Sequence, residues 1–296
     1  MKKYILPFLL LVAFFTGCSE NKTHHSHTAP LTISTNAWIG YAPLYYAKEK
    51  GYLKPLNIQL IVNVSLAEAA DIYMMGNADI VSTTQHECHT IQKSVADTVP
   101  FILLDRSDGG DMILSNKPIE AIKQAKHIYA YLEIDSINAD LLQDFIRVHH
   151  LDTDRFTFIN KDQAQIQNLH PDPSQTILIV TYSPYDSTLK KAGFKVLCST
   201  RSTQELVVID ALCTHKSLLQ TQKQRLHALK KVIDRSIMEI ESDTKGSYAL
   251  VKGYLSNLSY TDYLDAFSGI KWINHPSEKL LHRIESIGYS REYIIP

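Results

Sequence analysis

Twice in quick succession the chain passes from a β-branched or apolar run straight into a helix-capping signature. Ile58–Val64 reads as a strand and leads into Ser65-Leu66-Ala67-Glu68; Ala78–Ser82 reads as a strand and leads into Thr84-Gln85-His86-Glu87. In such a box the hydroxyl accepts a backbone N–H of the first helical turn and the glutamate reaches back to the cap, so a helix begins there. A chain that alternates strand and helix this tightly is confined to α/β architectures with mostly parallel sheets flanked by helices. The surrounding sequence keeps the rhythm. Leu31–Ser34 opens a strand, Pro43 begins a helix that Gly51 ends, the Ser65 helix stops at Gly76, and Pro100–Asp105 is a strand.

After Asp108-Gly109-Gly110 the pattern restarts. Ile128–Ile134 is a strand, Asp135 or Ser136 caps a helix running to His149, and Phe156–Ile159 is a strand. Thr176–Tyr182 is almost wholly apolar, as expected where both faces of a sheet are covered. Pro184 is expected to open a helix ended by Gly193, with strands at Phe194–Cys198 and Leu206–Leu212. Beyond these the chain is helical. Gln222–Glu241 carries Leu226, Leu229, Val232, Ile233, Ile237 and Ile240 at helical spacing, a core stripe. Trp272 and the run Tyr260–Tyr263 read as packing.

Two crossing points, near Ser107–Gly110 and Ser199–Gln204, divide the chain into two lobes. Lobe 1 takes residues 31–108 and 205–296; lobe 2 takes 109–204, return crossover included. In open α/β sheets a ligand sits outside the carboxyl ends of the strands, where helix N-termini point.

The N-terminus indicates where the protein works. Met1-Lys2-Lys3 and the apolar run Tyr4–Phe15 have the form of a signal-peptide core, too short to span a membrane. Phe15-Thr16-Gly17-Cys18 resembles the lipobox of bacterial lipoproteins, with Phe15 where that pattern prefers Leu. The resemblance implies a signal peptide over residues 1–17 and lipidation of Cys18, anchoring the chain to a membrane. Residues 18–30, with His24, His25 and His27, read as a polar tether. Three cysteines remain, Cys88, Cys198 and Cys213, so at most one disulfide among them is possible, and Cys198 and Cys213 read as small buried hydrophobes. With 30 Lys+Arg against 31 Asp+Glu, no basic patch points to nucleic acid.

From Trp38 to Tyr52 the segment Trp-Ile-Gly-Tyr-Ala-Pro-Leu-Tyr-Tyr-Ala-Lys-Glu-Lys-Gly-Tyr resembles the opening of the nitrate/sulfonate/taurine-type and thiamine-precursor-type substrate-binding proteins of ABC transporters. Gly76-Asn77-Ala78-Asp79, Asp105-Arg106-Ser107-Asp108-Gly109-Gly110-Asp111 and Val180-Thr181-Tyr182-Ser183-Pro184-Tyr185 resemble later segments of that superfamily, in order. The resemblance implies a two-lobed periplasmic-binding-protein type II fold closing on a small-molecule ligand in its cleft. It further implies a monomer delivering that ligand to an ABC permease, or reporting its capture to a membrane sensor. It is silent on which ligand. It extends to a pyrimidine synthase whose cysteine-rich iron-site motif is missing here, and no GxSxG, Walker loop, HExxH or GxGxxG is present, so neither enzymatic activity nor a cofactor is expected.

Candidate ligand-binding residues lie in the strand-to-helix loops. Trp38 and Tyr41 follow the first strand, with Tyr45 and Tyr46 one turn on. Thr83, Thr84 and Gln85 end a strand at a helix N-terminus, whereas capping alone accounts for Glu87. Asp108 and Asp111 flank glycines suited to hinge rotation, while Glu133, Asp135 and Ser136 end the first strand of lobe 2. Tyr182 and Tyr185 border the opposite loop, and Glu205 lies near the return crossover. These acids outnumber the nearby cations Arg106 and Arg201. A carboxylate-and-aromatic pocket favours a cationic or zwitterionic nitrogen compound over a sulfonate or nitrate, which need donors and positive charge. His86-Glu87-Cys88-His89 keeps a zinc-binding alternative open, without the spacing of known zinc motifs.

Overall fold

A computed structural model of the chain describes residues 29–202 and 206–296. The signal peptide, Cys18, the tether as far as residue 28, and Glu205 lie outside the described residues.

The chain opens as β1 (Leu31–Asn36), α1 (Ala42–Glu49), β2 (Ile58–Asn63), α2 (Leu66–Met74), β3 (Ile80–Thr84), α3 (Gln85–Ser94) and β4 (Thr98–Ser107). It continues as β5 (Asp111–Ser115), α4 (Ile119–Gln124), β6 (Ile128–Leu132), α5 (Ile137–Val148), β7 (Phe156–Asn160), α6 (Gln163–Ile166), β8 (Ile177–Tyr182), α7 (Asp186–Ala192) and β9 (Lys195–Ser199). It returns through β10 (Ile209–His215), α8 (Lys216–Thr221), α9 (Lys223–Ser242), α10 (Thr244–Val251), α11 (Tyr260–Ser268), β11 (Ile270–Trp272) and α12 (Glu278–Ser286).

Two sheets result, ordered β11-β4-β10-β3-β1-β2 and β7-β6-β8-β5-β9. Among the described residues most strands in each sheet run in one direction, as expected, yet five of the nine pairings are antiparallel, and four of these five follow from the crossovers. β10 pairs antiparallel with both β3 and β4, and β5 with both β8 and β9. Each of these two strands arrives from the other lobe. The forward strands finish at the cleft, so a strand entering from the cleft must start there and run backwards. The short β11 is also antiparallel, to β4.

Sheet burial matches the apolar runs. In β8, Leu178 and Val180 join the core on one face while Ile177 and Ile179 join that on the other, the period-two alternation of a doubly covered strand. The α9 stripe is buried in the largest core, where Val232 packs at its edge, and Tyr260, Tyr263 and Trp272 pack there as well.

Several boundaries depart from the sequence reading. β3 lies two residues later than expected, because the Thr84 cap lets the strand run directly into α3. β10 starts three residues later than expected. Pro184 sits in a cis peptide with Ser183, ahead of the helix it was expected to open, and α7 starts at Asp186. The strand β5 and the helix α4 were not read from the sequence. At Ser65 half of the capping box forms: Ser65 Oγ accepts the Glu68 amide (3.1 Å), whereas the Glu68 carboxylate takes the Val64 amide (2.8 Å).

Both glycines at the first crossover are used, for different reasons. Gly109 has φ +118°, a conformation L side chains rarely adopt. Gly110 is required by close approach, since a Cβ there would lie 2.4 Å from the Trp38 ring. Gly40 is tighter still, as its Cβ would meet the Asp105 carboxylate and Trp38 Nε1. Overpacking of this kind costs about 1–3 kcal/mol. Gly40→Ala is expected to lower stability by that amount in a urea titration, and an unchanged midpoint would contradict the packing of Trp38 against Asp105.

Candidate functional site

Forward strands deliver their last residues to the cleft, and reversed strands deliver their first. From the first sheet come Asn36, Thr84 and Asp105 at forward ends and Asp210 at the start of β10, where Asp210 is level with both Thr84 and Asp105. From the second sheet come Tyr182 at the end of β8, Glu133 just past β6, and Asp111, the first residue of β5, paired with Tyr182.

Aromatic rings line these positions. Trp38 is buried and its indole N–H donates to the Asp105 carboxylate at 3.3 Å. The Trp38 ring meets Tyr182 edge-on with centroids 5.8 Å apart, and Tyr182 meets Tyr185 edge-on at 5.5 Å. Tyr41 donates its hydroxyl to Asp210 Oδ1 at 2.5 Å, and Asn36 Nδ2 donates to the Tyr182 hydroxyl at 3.3 Å. Tyr45, one turn into α1, stacks on Tyr254 and bonds the Asn36 carbonyl, so it supports the site from behind. Tyr46 bonds Glu239 of α9.

Helix N-termini converge on the same place, and two glutamates already occupy them. Glu87 closes the α3 capping box by accepting the Thr84 amide at 3.0 Å, and its other oxygen accepts the Ile137 amide at 2.8 Å. Ile137 is the first residue of α5, on the opposite lobe. The Glu133 carboxylate accepts the amide of Gln163, the first residue of α6, at 3.0 Å. Ser136 is the α5 cap, accepting the Asn138 amide (3.2 Å) and donating to the Glu133 carbonyl (2.9 Å). Other contacts also bridge the lobes: His86 to Asp140 (3.0 Å), the Tyr185 hydroxyl to the Val64 carbonyl (3.5 Å), and the Ile39 amide to the Ser183 carbonyl (3.4 Å).

Five carboxyl groups (Asp105, Asp111, Asp210, Glu87 and Glu133) are thus each buried where the two sheets meet the cleft, and among the described residues no Lys or Arg pairs with any of them. Asp111 Oδ2, Asp210 Oδ2, Glu133 Oε2 and Asn36 Oδ1 are buried acceptors without a hydrogen-bond partner. Burial pushes the Asp111 carboxyl up to about 7 and that of Glu133 up to about 8, and the Glu87 charge raises both further. Asp105 and Asp210 are raised well above the usual carboxylate range by burial and by neighbouring acids.

Of the residues singled out in the sequence, Trp38, Tyr41, Thr84, Asp111, Glu133, Ser136, Tyr182 and Tyr185 gather here. Others do not. Thr83 points to Cys213 behind the sheet (3.4 Å), because adjacent strand residues face opposite ways. Gln85 spends its amide on the return segment, accepting the Ile209 amide (3.0 Å) and donating to the Val207 carbonyl (2.6 Å). Asp108 lies at the hinge between Arg106 (3.2 Å) and Lys271 (3.1 Å), and Asp135 is exposed. Arg201 is also a hinge residue, donating to the Asp108 and Ser268 carbonyls. His86, Cys88 and His89 diverge: His86 meets Asp140, Cys88 is buried 3.1 Å from the Cys213 thiol, and His89 is exposed. Among the described residues no three His, Cys, Asp or Glu side chains are grouped to hold a metal ion.

Asp210 and Asn36 were missed, and Asp105 was noted only within the crossover segment. The signal available was a single acid inside an apolar run, in Phe101–Asp105 and in Val207–Cys213.

The raised acids fix the sign of the stability profile. In the unfolded chain these carboxyls titrate near 4. The folded protein holds their protons more tightly, so their contribution is fully present below that value and is lost as pH rises through about 7 and 8. His86, raised by its bond to Asp140, acts in the same sense. The unliganded protein is therefore expected to show a higher denaturation midpoint at pH 5.5 than at pH 8.5. The double variant Asp111→Asn, Glu133→Gln should flatten that slope.

No protein-family model matches the chain, and no curated protein does. Solved structures do. The ligand-binding component of an ABC-type import system from Staphylococcus aureus, with zinc bound, superposes with a TM-score of 0.70 at 13% identity, covering 91% of this chain and 97% of that one. The alkanesulfonate-binding protein SsuA from Xanthomonas axonopodis pv. citri, bound to MOPS, gives 0.71 at 13% identity, over 88% and 91%. The periplasmic nitrate-binding protein NrtA from Synechocystis PCC 6803 gives 0.65 at 12% identity, over 81% and 70%. At such identities the likeness shows architecture: this chain has the two-lobed α/β fold of the substrate-binding proteins of ABC importers, the fold its sequence resemblance implied.

Proposed function

We propose that this protein captures a small cationic or zwitterionic nitrogen compound between its lobes and hands it to an ABC permease, without bond-making chemistry. The lobes divide at the crossovers, 31–108 with 205–296 against 109–204, and the ligand shifts the population toward the closed form. The lipobox resemblance supports a chain tethered through Cys18 to the outward face of a bacterial membrane. No helix among the described residues is long and apolar enough to cross one.

One observation carries the ligand class. The helix N-termini that would hold an anion are already occupied by Glu87 and Glu133, while buried oxygens of Asp111, Asp210 and Glu133 lack partners. A sulfonate or nitrate would meet unpartnered carboxyl oxygens with no cation to receive it; an ammonium or protonated heterocycle would draw those carboxyls into their ionised form, be paired by them, and could stack on Trp38, Tyr182 or Tyr185. Arg106 and Arg201, the cations at the crossovers, are engaged at the hinge.

Thermal-shift measurements on the chain from Ala29 onward, against amines, protonated pyrimidines, sulfonates, nitrate and zinc, test this. A ligand binding only the folded state stabilises it by about 2.7 kcal/mol at one hundred times its dissociation constant. Cationic nitrogen compounds are expected to raise the midpoint, and Asp111→Asn to abolish the rise. Asp108→Asn should leave it intact, because Asp108 is paired at the hinge. A rise with sulfonate or nitrate alone would overturn the charge argument.

A further inference from the structure

The buried acids do not form one cluster. Asp105, Asp111 and Asp210 gather near the crossovers, where β4, β5 and β10 meet the cleft. Glu133 stands apart on β6's end of the second sheet, with β8 between it and Asp111. The register fixes the separation. Asp111 pairs with Tyr182 on one side of β8, and Glu133 follows the last residue of β6, which pairs with β8 on its other side. Neighbouring strands lie about 4.8 Å apart, so the two acids sit at backbone positions about 10 Å apart.

Both ends carry an oxygen with nothing to accept from: Asp111 Oδ2 and Asp210 Oδ2 at one, Glu133 Oε2 at the other. These side chains are exposed by 4%, 2% and 4%, so water does not solvate the charge either. Between the ends runs the aromatic row. It starts at Trp38, whose indole bonds Asp105, passes through Tyr182, and finishes at Tyr185, whose hydroxyl reaches the Val64 carbonyl across the cleft. Its centroid steps of 5.8 and 5.5 Å give it a length comparable to the separation of the acids. Two acidic ends joined by an apolar aromatic wall match a molecule with two cationic ends joined by an alkyl chain, whose charges would hold the carboxyls ionised.

Building on the cationic-ligand reading above, we infer that the cleft takes a linear α,ω-diamine or longer polyamine, one ammonium held by Asp111 and Asp210 and the other by Glu133, with the methylene chain along Trp38, Tyr182 and Tyr185. A single-headed amine would leave one of the two ends unpaired, which is costly for a buried carboxylate.

Isothermal titration of the chain from Ala29 onward with unbranched diamines of three to eight carbons, with the triamine spermidine, and with 1-aminobutane tests the inference. The best diamine or triamine is expected to bind more tightly than 1-aminobutane by roughly 10–100-fold, the effect of one further charge-assisted hydrogen bond. Affinity should pass through an optimum in chain length. Glu133→Gln should bring the diamine down to the monoamine's affinity while leaving 1-aminobutane binding within a few-fold, and circular dichroism of the variant establishes that it is folded. If that variant does not fold, the wild-type chain-length profile decides. Equal affinity for 1-aminobutane and every diamine would overturn the two-ended site and leave the cationic reading standing. Binding of butanesulfonate or nitrate with no amine binding would overturn both, as would the absence of any amine binding.

Discussion

A strand that enters a sheet from the cleft must begin at the cleft, and most of what is distinctive here depends on that constraint. The chain crosses between lobes twice, and on each arrival it inserts a reversed strand into the middle of a parallel sheet: β5 between β8 and β9, β10 between β3 and β4. Asp111 and Asp210 open those strands. They are thereby set opposite the residues that end the forward strands, and acids from distant parts of the chain are buried along the cleft. The crossovers are tied to each other as well: Thr200 Oγ1 bonds Ser107 Oγ (2.7 Å) and accepts the Gly109 amide (2.8 Å).

Burying carboxylates without counter-ions costs several kcal/mol for each charge unless the group is neutralised or bonded. Both remedies are visible. Glu87 and Glu133 are placed at helix N-termini, where free N–H groups and the helix dipole favour negative charge. Asp111, and Glu133 for its unpartnered oxygen, shift their titration upward and hold protons near neutral pH. Glu87 has the widest reach, because one carboxylate caps α3 on the first lobe and receives the first amide of α5 on the second. An intramolecular carboxylate thus stands between helix ends that the two lobes turn toward each other. The fold by itself selects no ligand; what this cleft adds to it is a set of buried acids with no cationic partner among the described residues.

The hinge shows the complementary arrangement. Asp108, one residue from the glycines, is fully engaged with Arg106 and Lys271, and Arg201 is held by backbone carbonyls. Three cations surround the one acid there, while the interior acids a few residues away have no cation beside them among the described residues. Surface pairs of this type contribute little to stability, so their effect is to keep those cations out of the cleft.

Local rules were enough to read the architecture. Capping boxes, the Pro43-to-Gly51 helix, the apolar run of β8 and the α9 stripe each follow from short-range chemistry, and each lies where the sequence placed it to within a few residues. Trp38, Tyr41, Glu133, Ser136, Tyr182 and Tyr185 were legible for the same reason, being next to the ends of forward strands. Strand direction was not legible, since hydrophobic periodicity is the same read either way along a strand. Asp210 therefore looked like a residue inside a strand, and β5 was not seen at all. Gln85 and Asp108 had the right chemistry at the right loops, but partners far away in sequence, Val207, Ile209 and Lys271, claimed them. The sequence by itself determined the alternation of strand and helix and the excess of acid near the strand ends. Only the tertiary structure decided which acids lose their partners, because that depends on which distant segments the two reversed strands bring together.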